Sequence, residues 1–310
     1  MMLGYLFKRL VSAALLLVAV SFLVFALLDV VPGDVAHTLV GDLASAEQLA
    51  AVRHELGLDQ PLLIRYLRFA EGAVLRGDLG ASVVSGRPVV ELLRDRFGAT
   101  LQLALVSLAL AMVVGLLAGL TAAARAGGYV DLTVMAGTTL GESLPSFWVA
   151  LLLIQFFALK LGWLPVFGAG SPRHLVLPAL ALALPAIALI ARLVRSCLLD
   201  VTTADFVRTA HAKGLSQLLV WRDHIFRNAI LPVMTLLGLY LGHLLGGAFI
   251  IETIFAWPGL GRLVVQAIFD RDFPVVVGAV LLIALIYQVL NIVVDLAHAW
   301  LDPRVGHEAI

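Results

Sequence analysis

The chain has 310 residues, 61% of them apolar and 14% charged, and a mean hydropathy of +1.02. Soluble domains carry about 25% charged residues, so a water-soluble fold has no place for this much apolar surface. The 21 basic and 21 acidic residues balance, which removes any global attraction to nucleic acid. The single cysteine, Cys197, excludes an internal disulfide and any paired-cysteine metal or redox site.

A membrane-crossing helix needs about 20 mostly apolar residues. Six segments meet or approach that length: 10–28, 97–124, 132–159, 175–191, 231–255 and 275–296. The first follows Lys8 and Arg9, as a signal peptide would. Its apolar run is longer than a secretory one and lacks an Ala-x-Ala cleavage site, so a retained anchor is expected. Residues 1–30 then form the N-terminal end and first span.

Next comes an extracytoplasmic segment, 31–97, which opens with the turn signal Val31-Pro32-Gly33-Asp34. Ser45-Ala46-Glu47-Gln48 fits a capping box. Leu49, Val52 and Leu56 repeat at helical spacing up to Gly57, a suitable C-terminal cap. A second short helix is expected from Pro61, burying Leu63, Tyr66, Leu67 and Ala70 and stopping by Gly77. Val89 to Phe97 reads as a third, leading into the second span. These pieces either cap the outer mouth of a bundle or form an ordered surface loop.

The third span is broken by Glu142 and Pro145, and the fourth is short and broken by Pro178 and Pro185. A carboxylate inside a span is costly. Glu142 therefore lines a water-filled path, pairs with another helix, or lies near the cytoplasmic surface; Ser143 and Phe147 belong to the path reading. His243 is read as a satisfied core histidine, and Asp295, His298 and Asp302 as interfacial. Cys197 is read as a small apolar filler. Small residues four apart mark close helix contacts in lipid; they occur as Gly115 and Gly119, Gly137 and Gly141, and Gly238, Gly242 and Gly246.

Basic residues set orientation. With the N-terminus inside, the cytoplasmic side collects Lys8, Arg9, Arg125, Arg192, Arg195, Arg208, Lys213, Arg222, Arg227 and Arg304. Short outer loops hold Lys160, Arg173, Arg262 and Arg271. Six spans return residues 301–310, the tail, to the cytoplasm, so both termini are cytoplasmic.

No P-loop occurs, and no Gly-Lys pair exists, so the chain does not cradle nucleotide phosphates that way. There is no His-Glu-x-x-His and no Gly-x-Ser-x-Gly. A membrane-embedded enzyme needs converging nucleophile, base or metal ligands, which the scattered histidines do not supply. A stand-alone secondary transporter is the other rival. Pro145, Pro178 and Pro185 support it weakly, and no inverted repeat is evident.

The polar interruption at 197–232 is the most informative stretch of the core region 98–300. Thr202 or Thr203 is placed to cap a helix beginning near Ala204, with Val207, Ala210 and His211 on a mildly apolar face and Gly214 at its end. A second helix follows, with Leu218, Leu219, Ile225 and Ile230 as contacts, and Pro232 opens the fifth span. Two short helices joined at a glycine make a knob that fits a partner's groove.

The run Arg208-Thr209-Ala210-His211-Ala212-Lys213-Gly214-Leu215-Ser216, followed by His224, Arg227-Asn228-Ala229 and Pro232, resembles the coupling loop of binding-protein-dependent ABC importer permeases. The similar branch is that of dipeptide, oligopeptide and nickel permeases, first-subunit type. Further similarities run in order along the chain: Val31-Pro32-Gly33-Asp34, Leu56-Gly57-Leu58-Asp59-Gln60-Pro61-Leu62, Arg76-Gly77-Asp78-Leu79-Gly80 and Leu144-Pro145-Ser146-Phe147-Trp148. Phe255-Ala256-Trp257-Pro258-Gly259-Leu260-Gly261-Arg262, Arg271-Asp272-Phe273-Pro274-Val275 and Asp302-Pro303-Arg304 complete the series. The general motif opens with Glu-Ala-Ala where this chain has Arg208-Thr209-Ala210, and Glu142 stands where the family more often has an apolar or small residue.

The resemblance implies an all-α membrane protein of six transmembrane helices with the type I ABC importer permease fold. It implies a transport subunit without its own ATPase site, in a bacterial or archaeal plasma (inner) membrane. Its partners would be a second homologous permease, two cytoplasmic ATPases that use ATP and Mg, an extracytoplasmic binding protein and the lipid bilayer, with no nucleic acid. The chain itself would bind no cofactor and no metal. The ATPase-coupling loop would be Arg208, Thr209, Ala210, His211, Lys213, Gly214, Arg222 and Arg227. Peptide is the first substrate expectation; nickel or a nickel chelate is the alternative.

Overall fold

The computed structural model describes residues 2–30, 45–55 and 59–301. Among these the structure is helical, with one isolated antiparallel bridge between Ala81 and Pro88. The chain divides into two compact units, Met1–Thr100 with Pro258–Val289 and Leu101–Trp257 with Leu290–Ile310.

In the first unit, α1 (Met2–Val30) is apolar over nearly its whole length. Helix α2 (Ala46–Glu55) opens with the expected capping box. The Gln48 N–H donates to Ser45 Oγ (3.2 Å) and the Ser45 N–H to Gln48 Oε1 (3.0 Å). Leu49 is buried; the Val52 side chain, Leu56 and Gly57 lie outside the described residues, as does the 31–34 turn. Helix α3 (Leu62–Glu71) follows Pro61, runs into a π-helical turn (Gly72–Arg76) and stops at Gly77, whose φ is +63°. Tyr66 is buried, but Leu63 and Leu67 are exposed, contrary to expectation. The reason is that α3 packs through its rings: Tyr66 and Phe69 meet Phe22 and Phe25 of α1. Leu63 and Leu67 flank that face. The Tyr66 and Ser21 hydroxyls lie 2.9 Å apart.

The expected short helix at 89–97 is instead the first turns of α4 (Val89–Ala124), an unbroken 36-residue helix. Between α12 (Leu260–Phe269) and α13 (Phe273–Leu301) the backbone turns through Arg271 at φ +55°. The Asp272 N–H closes this turn onto the Ala267 carbonyl (2.8 Å). The buried Asp272 carboxylate accepts from Ser82 Oγ and from the Val83 N–H, which fastens the 80–88 loop to this turn. Val89, Leu93, Leu260, Val264, Val275, Val276 and Ala279 make the core of the unit.

In the second unit, α5 (Tyr129–Ser143) and α6 (Ser146–Leu153, continued by a π-helical turn Ile154–Lys160) meet at 102°. Pro145 forces Leu144 into an extended conformation (φ −86°, ψ 125°), which ends α5. Helix α7 (Arg173–Thr202) runs unbroken for 30 residues through Pro178 and Pro185. The fourth span is therefore neither short nor broken: an apolar helix packed among neighbours tolerates the carbonyls that proline leaves unbonded. The expected fifth span divides at Ala248 into α10 (Arg227–Gly247) and α11 (Phe249–Ile254).

Four helices of the described residues are long and apolar enough to cross a membrane: Arg9–Leu27, Val89–Ala124, Arg173–Thr202 and Phe273–Val294. The bent α5–α6 pair makes five when counted as one span, and Leu236–Gly246 is an apolar stretch within α10. The break at Pro145 separates the counts of four and five.

Close backbone approach explains some glycines and not others. A Cβ on Gly119 would sit 2.6 Å from Val194 Cβ, and one on Gly115 2.9 Å from Ile190 Cβ, so α4 lies directly on α7. Gly238 similarly faces Val294. Gly137 and Gly246 face nothing within 4 Å and mark no contact. Replacing Gly119 with Ala is expected to overpack this seam at a cost of about 1–3 kcal/mol. The melting temperature of the purified protein should fall, while Gly137→Ala leaves it unchanged. Equal melting of both variants contradicts the seam.

Candidate partner-docking site

The knob begins where α7 ends. Thr202 Oγ1 donates to the Leu199 carbonyl (2.7 Å) and Thr203 Oγ1 to the Asp200 carbonyl (2.9 Å). Neither caps the next helix, because each hydroxyl finds an acceptor in its own last turn. Helix α8 (Asp205–Ala212) instead has Ala204 at its N-cap, with Asp205 in the first turn as the favourable charge. It buries Val207 and Ala210, whereas His211 is exposed. It stops at Gly214, φ +74°, by a double closure. The Gly214 N–H donates to the His211 carbonyl (2.9 Å) and the Leu215 N–H to the Ala210 carbonyl (3.4 Å).

Helix α9 (Gln217–Leu219) runs on into a π-helical turn, Val220–Phe226. The wider turn changes which residues face inward. Val220 and Ile225 are buried, and Ile230 packs partly against the same core. Leu218 and Leu219, expected as contacts, are exposed. Val207, Ala210, Val220 and Ile225 share one core with Ile190, Val194 and Leu198 of α7.

The opposite side of the knob is open. It offers Phe206 (45% exposed), Leu215 (38%) and Leu218 (79%). Arg208, Thr209, His211, Lys213 and Gly214 are exposed around them. Ala210 serves the core instead. Arg222 is engaged locally: it forks onto Asp223 at 2.7 and 2.9 Å and holds that carboxyl below its ordinary range. Arg227 is exposed at the start of α10.

The other candidates lie at the α5–α6 bend. Glu142 forms an ion pair with Arg192 of α7. Ser143 is exposed and donates to the Thr139 carbonyl (2.8 Å), and Phe147 is 44% exposed. His243 is exposed rather than a core histidine, with its ring 5.4 Å from that of Tyr240. Cys197 packs at the edge of the core. The side chains of Asp295 and His298, and Asp302, lie outside the described residues.

Sequence reading missed the Asp131–Arg195 pair. The Arg195 guanidinium donates to both carboxylate oxygens of Asp131 at 2.5 and 2.7 Å, and the Gly127 N–H adds a third bond (2.9 Å). Asp131 is 5% exposed. The only local signal was an acidic residue in the first turn of α5, just after Gly127-Gly128, with Arg195 on the later helix α7.

Residues 111–307 match the family described as binding-protein-dependent transport system inner membrane component, and residues 2–104 match its N-terminal companion. The glutathione transport system permease protein GsiC of Escherichia coli strain K12 is 41% identical over 307 residues, covering 99% of this chain and 100% of that protein. The protein of the same name from Salmonella paratyphi A is 42% identical with the same coverage. Among solved structures, an inward-facing MetNI methionine ABC transporter superposes with a TM-score of 0.57 at 22% identity, over 66% of this chain and 94% of that one. An amino acid ABC transporter gives 0.52 at 20% identity, over 69% and 94%. These two support the fold.

The two ion pairs predict different costs. Arg195→Ala leaves the Asp131 carboxylate, closed off by α5 and α7, without its cation and is expected to be the more destabilising of the two. Arg192→Ala opens a pair that is a third to a half exposed and should cost about 1 kcal/mol or less. Thermal unfolding of the purified variants checks the order; Arg192→Ala melting below Arg195→Ala contradicts it.

Proposed function

Because this chain belongs to the family of binding-protein-dependent transport system inner membrane components, we propose that it is one permease half of an ATP-driven importer of peptides. A second homologous permease completes the path, two cytoplasmic ATPases using ATP and Mg drive it, and an outer binding protein delivers substrate. Both termini and the knob lie on the cytoplasmic side. The glutathione assignment of the relatives favours a peptide-like solute.

One observation carries the coupling assignment: the knob is two-sided. One side is built into the core of α7, and the other presents Phe206, Leu215 and Leu218 framed by Arg208, His211 and Lys213. An apolar strip with a basic rim fits a groove with acidic edges, which is helix-in-groove docking. ATP binding closes the ATPase pair and displaces the knob, and the displacement passes to α7 through Val207, Ala210, Val220 and Ile225. The path, for which Glu142, Ser143 and Phe147 are the candidates, then changes its accessible side. Such coupling needs a two-state element that the nucleotide biases.

Gly214 tests the transmission. Nothing lies within 4 Å of a Cβ there, so a side chain fits and only the positive φ opposes it. Gly214→Val is expected to lower uptake per ATP hydrolysed about ten-fold in proteoliposomes, because a β-branched residue resists this conformation. Gly214→Asn, which tolerates it, should retain most transport. Wild-type coupling in the Val variant contradicts the role. For the rim, reversing both charges with Arg208→Glu and Lys213→Glu should sharply reduce co-purification of the ATPases. Undiminished recovery means these cations face elsewhere.

A further inference from the structure

Glu142 and Arg192 pair across α5 and α7 with their side chains 47% and 36% exposed. Their depth follows from the helices. Glu142 lies eleven residues, about 16 Å, along α5 from Asp131, next to Gly141, which touches Leu184 and approaches Ala188. On α10, Tyr240 lies about 20 Å from Arg227; it is near enough to Glu142 to interact with its charge, and His243 sits beside it. The four polar groups therefore gather at one level inside an apolar stretch. Charge facing hydrocarbon at that depth costs about 3 kcal/mol or more, so this face does not meet lipid.

Nor is the pair built like a structural latch. Asp131–Arg195 is buried, forked and satisfied by a third donor. Glu142 and Arg192 have only each other among the described residues, and both are a third to a half exposed. Each ion therefore keeps hydrogen-bonding capacity for a further partner. We propose that this pair reads the charged ends of a zwitterionic substrate in the path. Arg192 takes the substrate carboxylate and Glu142 its ammonium, partner exchanged for partner. Each ion keeps a counter-ion in the empty and the loaded state, so the exchange avoids the penalty of an unpaired charge. A solute with one charge leaves one member unpaired and is disfavoured. The inference rests on this face being the path.

The test uses the complete importer in proteoliposomes with its binding protein, and labelled glutathione and alanyl-alanine as probes. Glu142→Gln and Arg192→Gln are expected to assemble with all subunits. They should raise the KM for uptake about ten-fold, the value of one charge-assisted hydrogen bond, and also the ATP hydrolysed per peptide imported. The exchanged pair, Glu142→Arg with Arg192→Glu, should fail to restore uptake, because the carboxylate and ammonium sites are displaced relative to the delivered substrate. Restoration by the exchange makes the pair a latch and overturns the proposal. Loss of the second permease on purification makes it a subunit contact and overturns the proposal equally. Wild-type uptake in both single variants also overturns it while leaving peptide import intact. A wild-type importer that moves neither probe overturns the peptide reading and this inference together.

Discussion

Close packing of α7 governs the second unit. Lipid gives helices no hydrophobic reason to associate, so contact must come from backbones that approach closely enough for dispersion to act. Gly115 and Gly119 permit that approach to Ile190 and Val194. The same two α7 residues, with Leu198, also bury the inner faces of the knob helices. One helix therefore has a glycine seam along its side and the knob packed at its end. Displacing the knob without displacing α7 would open a packed core, and packed cores do not deform gradually.

Charge placement divides the work along this helix. Near the knob, Arg195 is locked to Asp131 and fixes the register of α5 on α7. One turn away, Arg192 reaches in the other direction to an open carboxylate. Both arginines come from the same helix face, yet one pair is closed and the other accessible. Burial makes the first a fixture, and the second stays a third to a half exposed.

The elements with local causes were legible in the sequence. The Ser45/Gln48 capping box, the stop at Gly214 and the break at Pro145 follow from side chains within four residues, and each is present. What depended on tertiary context was not. Nothing local shows that Pro178 and Pro185 stay inside one helix, or that rings rather than Leu63 and Leu67 set the face of α3. The π-helical turn at Val220–Phe226 moved Leu218 and Leu219 to the surface, a change that a 3.6-residue period cannot foresee. The Asp131–Arg195 pair joins residues 64 apart, beyond any local pattern. Two family-like stretches proved to be helix stops with non-glycine residues at positive φ, Ala256 and Arg271, each closed by a backbone bond from the residue that follows.

The claim that the knob and α7 move as one body is open to direct measurement. Spin labels at Lys213 on the knob and at Tyr129, 89% exposed at the start of α5, report on the second unit alone once Cys197 is replaced by Ser. A third label on the ATPase reports nucleotide-driven closure. The account predicts an unchanged Lys213–Tyr129 distance between nucleotide-free and ATP-trapped importer while the ATPase label moves. A Lys213–Tyr129 distance that shifts with nucleotide, showing a knob that swings free of α7, contradicts it.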